Sequence, residues 1–188
     1  QRVYRFMSQT DAVAAYVREH VRISPPEDRV RLFPLTAGLF EKAFLLLPDD
    51  TLDLFLSGSR SLTVDIAPDP GLPLGMKTRT AGPCSDRQYT IVVYHEHLGL
   101  PEDLFLGSFL RELGHVVAEL PPESEWPATR GDRARFKERA ENQADAMVWR
   151  WGLKHLSMRH LFGTYPTHRA ELIVEAIENL LAEEKGTA

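Results

Sequence analysis

The residues of this chain best suited to chemistry are Arg111-Glu112-Leu113-Gly114-His115, set inside the apolar run from Phe105 to Val117. A His at position 111 would put two imidazoles at i and i+4 on one helix face, aimed at one divalent metal. The intervening Glu would then serve as base for metal-bound water. Position 111 holds a permanent cation instead. A guanidinium has no lone pair to give and is not deprotonated in a protein, so Arg111 cannot ligate Zn²⁺ and repels it at contact distance. Glu112 keeps the general-base position and His115 that of a second ligand.

A second pair of candidates lies further along, in Glu141-Asn142-Gln143-Ala144-Asp145. Positions 111 and 115 are one helical turn apart, as are 141 and 145, so two facing helices would bring four chemically active side chains together. The apolar neighbours Leu106, Phe109, Leu110, Leu113, Val116 and Val117 predict a buried helix. A buried Arg must be paired, and its planar fork suits carboxylates. Arg111 is therefore expected to replace a metal's charge and to join the two helices through Glu141 and Asp145.

The elements that must position these residues follow from periodicity. Thr10 or Asp11 caps a predicted helix through about Val21, ended by Pro25-Pro26; Leu35–Leu47 reads as a second, and Leu52–Leu56, capped by Asp49-Asp50, as a short third. The period then changes to two. Ser61–Ile66 alternates as a strand should, Leu74–Thr80 is a weaker strand, and the β-branched and aromatic run Gln88–His95 is the strongest. A helix is predicted from Pro101 to about Leu120, a long charged one from Asp132 to about His155, and a last one from Pro166 or Thr167 to about Glu184. This order predicts one α+β domain over 1–188, with N-terminal helices in 1–58, a motif-bearing core in 60–155 and a C-terminal helix in 166–184.

The strand Tyr89–His95, the helix bearing Glu112 and His115, and the later helix bearing Glu141 and Asp145 together resemble the catalytic core of the zincin-like metallopeptidases, most closely the gluzincin branch. The resemblance implies a small β-sheet packed on an active-site helix. It makes Glu112 the general base, His115 the second metal ligand, Glu141 the third and Asp145 the residue that orients a ligand, with Arg111 at the missing first ligand. Three readings stay open. The charges can simply face solvent on an amphipathic helix. The chain can be a degenerate, catalytically impaired relative without metal that binds peptide or protein along an edge strand in the former cleft beside Tyr89–His95. Or it can be an active metal-dependent hydrolase, with zinc held by His115, Glu141 and one further ligand, and Arg111 stabilising an oxyanion.

Other candidates carry less. His95-Glu96-His97 could bind a metal, but about 15 Å of helix between Pro101 and Arg111 separates it from the motif, so strand-end polar residues are expected. His155, His160 and His168 read as capping or surface histidines, Cys84 as an inert thiol, and Trp126, Trp149 and Trp151 as packing aromatics. Arg133, Arg135, Lys137, Glu138 and Arg139 read as a solvated helix face. The segment Glu123–Gly131 is either a plain connector or, since the resemblance implies a region that helps wall the cleft, a lid or a partner-binding edge.

Composition bounds the rest. A formal charge of -5, from 22 Lys+Arg against 27 Asp+Glu, argues against a nucleic-acid partner held by phosphate contacts. A single cysteine excludes an internal disulfide and fits a cytoplasmic location. The longest apolar run, Ala43–Leu47, is far short of the roughly 20 residues that span a bilayer. Oligomeric state is not readable.

Overall fold

The alternating segment around Val64 and the β-branched run before Tyr94 pair in parallel as β2 (Ser61–Ala67) and β4 (Gln88–Tyr94), with Val64 opposite Ile91. This arrangement is seen in a computed structural model that describes residues 7–71, 75–82 and 86–186, the side chains of residues 29, 30 and 35 excepted. Cys84 lies outside the described residues, as does the start of the predicted strand Leu74–Thr80. The described part of that strand is β3 (Lys77–Ala81), which runs antiparallel to β4 and places Thr78 opposite Ile91.

A fourth strand was not expected. The predicted first helix ends at His20 as α1 (Gln9–His20), capped by Ser8, and Val21–Ile23 forms β1, which pairs in parallel with β2. Three residues with two apolar ends are too few to show a period, and only pairing with Val64 and Ile66 makes them a strand. The sheet order is β1-β2-β4-β3. The strand Tyr89–His95, expected beside an open edge, is therefore internal. β3 forms the edge on that side.

Helices α2 (Arg29–Leu45) and α3 (Asp49–Leu56) follow β1, and α2 begins before the expected Leu35, running through Pro34. After β4 come α4 (Glu102–Val117), α5 (Arg130–Arg150), α6 (Lys154–Thr164) and α7 (Thr167–Gly186). The order is α+β, with a small mixed sheet and helices before and after it. Among the described residues no helix is long and apolar enough to cross a membrane.

The core joins one face of the sheet to α4. Leu62, Val64, Ile66, Ile91 and Val93 are buried from the sheet, and Phe105, Phe109, Leu110 and Leu113 from the helix. Each fully buried aliphatic or aromatic side chain of this kind contributes about 1.5–3 kcal/mol. Phe40 of α2 packs edge-on against Phe105 and Phe109, with ring centroids 5.4 and 5.1 Å away, which docks α2 on α4.

Two glycines let α4 approach its other neighbours closely. A Cβ at Gly114 would lie 2.5 Å from the Ala144 carbonyl oxygen of α5, and one at Gly107 would lie 2.4 Å from the Leu156 carbonyl oxygen of α6. Only a residue without a side chain permits such contacts. The first of them sets the turn of α4 bearing Arg111 and His115 against the turn of α5 bearing Glu141 and Asp145.

The predicted helix from Asp132 to His155 is two helices. Gly152 sits at φ +79°, and the amides of Gly152 and Leu153 bond back to the carbonyls of Trp149 and Val148, which is how a glycine in the left-handed region closes a helix. The chain reverses there, and α6 brings Ser157 and His160 back to α4 and α5.

Candidate functional site

Arg111 projects from the middle of α4 toward α5, with only 12% of its side chain exposed. Its Nε donates to Asp145 Oδ2 at 3.0 Å, and its Nη2 forms an ion pair with Glu141 Oε2. The pairing expected from the one-turn spacing of the two motifs is present, and the solvated-face alternative for Arg111 is corrected. Asp145 is fully buried, and its other oxygen accepts a hydrogen bond from Ser157 Oγ at 3.0 Å. Burial works against the Arg111 charge, but the carboxylates of Asp145, Glu141 and Glu112 outweigh it and raise its pKa further. Burial pushes the Asp145 carboxyl above its usual range, against the pull of Arg111 and Ser157.

His115 Nε2 donates to the same Glu141 oxygen at 3.2 Å. Burial would raise the Glu141 pKa, but the His115 hydrogen bond and the Arg111 charge hold it down at about 2. One carboxylate oxygen thus accepts from an imidazole and forms an ion pair with a guanidinium. These residues do not fit a zinc ion. The Glu141 oxygen and the His115 nitrogen that face each other are engaged as acceptor and donor, and a fixed cation stands beside both. Among the described residues no three His, Cys, Asp or Glu side chains gather as a metal-ligand set.

Glu112 points to the other side of α4, toward the sheet edge. Its Oε2 accepts from the Thr78 amide and the Thr78 hydroxyl of β3, each at 2.7 Å. Burial raises its pKa, opposed by His115, Arg111 and the Thr78 hydroxyl. Because the Thr78 amide is spent on Glu112, it faces away from β4. In an antiparallel strand alternate residues present both backbone groups to the same side, so Thr80 also turns its backbone outward. Its hydroxyl donates to the Leu120 carbonyl at 2.7 Å.

A cleft of about 410 Å³ opens between β3, α4 and α5, lined by Thr78, Tyr94, Arg111, Glu112, His115 and Glu141 among others. Its outer wall is the segment after α4. Leu120, Glu123 and Trp126 line it, Trp126 Nε1 donates to the Pro121 carbonyl, and the Trp126 ring packs on Phe136. The segment Glu123–Gly131 is therefore a wall of the cleft at its first residues rather than a plain connector. Lys137, read from sequence as part of a solvated face, is exposed yet also lines the cleft.

The remaining histidines separate. His95 to His97 lie on a short 3-10 turn directly after the end of β4, and none of the three residues lines the cleft. His97 is buried, and its Nδ1 accepts from the Tyr94 amide at 3.1 Å. His155 and His168 are exposed. His160 is not the surface histidine expected: it is buried on α6, with Nδ1 2.8 Å from Ser108 Oγ. Gly152, a glycine closing the charged helix, is the signal that would have revealed α6 and with it Ser157 and His160. Thr78, by contrast, carried no local signal.

Burial, aided by the nearby Arg111 charge, lowers the His160 pKa from 6.5 to about 3. The unfolded chain takes a proton there below about 6.5 and the native state refuses it until about 3, so this stability is complete above the upper value and lost as the pH falls. Between pH 7.5 and 4.5, urea denaturation of His160→Gln should lose about 2–3 kcal/mol less than the parent protein. Equal losses in the two proteins would show that His160 is not the group responsible.

The chain matches no protein-family model, no curated protein sequence and no solved structure.

Proposed function

We propose that this chain is a zincin-like, metallopeptidase-like protein with impaired catalysis that binds an extended peptide or protein segment in the cleft between β3 and α4. The observation that carries the reading is the Arg111 fork on Asp145 and Glu141, which puts a permanent charge where a first metal ligand would stand. Two further features support it. The helix bearing the general-base position lies against the sheet edge, with Glu112 bonded to Thr78 of β3. That edge strand turns backbone groups toward the cleft, as an extended partner would require. The expected binding strand is thus β3, not the internal strand Tyr89–His95.

Elemental mass spectrometry of the purified protein, never exposed to chelator, tests the reading together with a peptide-hydrolysis screen. Transition metal far below stoichiometric and no hydrolysis are expected. Near-stoichiometric metal with hydrolysis abolished by Glu112→Gln would overturn the proposal and favour a working hydrolase with a rearranged ligand set.

A further inference from the structure

The cleft differs in charge from the protein as a whole. The chain carries a formal charge of -5, yet the cleft is lined by the cations Lys77, Arg79, Arg111 and Lys137 against the carboxylates Glu112, Glu123 and Glu141. Each of the three carboxylates already has a donor. Glu123 pairs with Lys77 at 3.3 Å, Glu141 pairs with Arg111 and accepts from His115, and Glu112 accepts from Thr78. The cations are not matched in the same way. Arg79 and Lys137 are exposed and make no ion pair among the described residues. Arg111 donates through Nε and pairs through Nη2, and its Nη1 donates no hydrogen bond to a described residue.

These donors are spaced along the groove. Arg79 comes from the edge strand, Arg111 from the floor and Lys137 from α5, one turn before Glu141. An extended chain laid against β3 would pass all three, and an oxygen anion on it would find a guanidinium edge at the floor and mobile cations at the rim. We infer that the occupant of this cleft is a peptide segment bearing a carboxylate, from an acidic side chain or a free C-terminus, recognised by Arg111, Arg79 and Lys137. The inference rests on the peptide-binding reading above and adds the chemistry of the partner.

Fluorescence polarisation with labelled extended peptides of matched length tests it. One peptide carries Glu at alternate positions with an amidated end, a second Gln with a free C-terminal carboxylate, a third Gln with an amidated end and a fourth Lys with an amidated end. At low salt, either or both carboxylate-bearing peptides should bind at least about tenfold more tightly than amidated Gln, with Lys weakest, and the preference should shrink as salt rises. Whichever of the first two binds tighter names the source. Arg79→Glu combined with Lys137→Glu changes exposed residues only and should abolish the preference, with the circular dichroism spectrum showing the variant folded at the assay temperature. Binding of both carboxylate-bearing peptides no tighter than that of amidated Gln, or a preference that survives the double reversal, would overturn the carboxylate inference while leaving peptide binding intact. No binding of any peptide would overturn both readings.

Discussion

Arg111→Met should destabilise the protein by about 3–5 kcal/mol at neutral pH, because it leaves the fully buried Asp145 carboxylate without its cation. The loss should also depend on pH in a set direction. Burial already raises the Asp145 pKa, and removal of Arg111 takes away the strongest force opposing that rise. An acid whose folded pKa lies above its unfolded value weakens the fold above the unfolded value and is relieved as the pH falls and it takes up a proton. Urea denaturation of the variant should therefore approach that of the parent as the pH drops from about 7 toward about 4. A double variant, Arg111→Met with Asp145→Leu, should regain much of the loss, since replacing both members of a buried pair removes the stranded charge. Glu141→Gln, at a side chain 30% exposed, should cost far less, about 1 kcal/mol. A loss below about 1 kcal/mol for Arg111→Met would mean that the fork carries no structural weight.

Arg111→His should create a zinc site. His115 is one turn away on the same helix, Glu141 faces both positions, and Asp145 stands behind position 111, where it can accept from the other nitrogen of a new imidazole. Removing the cation frees the Glu141 oxygen and turns a repulsive neighbour into a lone-pair donor. Zinc affinity, read by competition with a chromophoric chelator, should rise by at least about a hundredfold, roughly 2.7 kcal/mol. Glu141→Gln in the same background should reverse most of that gain. If the parent protein already binds zinc as tightly as the variant, the cation does not stand in the metal's place.

The motifs were legible because their information is local. Arg-Glu-x-x-His and the Glu141 to Asp145 stretch each put two side chains on one helix face by spacing alone, and the apolar run around them indicated burial of Arg111, which in turn demanded carboxylate partners. The strands Ser61–Ala67 and Gln88–Tyr94 were legible because alternation and β-branched residues mark a half-buried pleat. Val21–Ile23 was missed because a strand this short exists only through its partner. His160 was misread because a ring near the end of a helix looks the same in sequence whether it faces water or the Ser108 hydroxyl of another helix.

The sequence by itself determined the helices other than α6, the two central strands, the cation at position 111 and the need to pair it. Tertiary structure alone decided which carboxylate oxygens meet the fork, that Glu112 turns away to Thr78, and that β3 rather than β4 forms the edge of the cleft. The reason lies in range. Helical spacing acts within a turn, whereas Thr78 and Glu112 are brought together by the order of strands in the sheet, and Arg111 meets Asp145 because Gly114 lets α4 approach the backbone of α5 at Ala144.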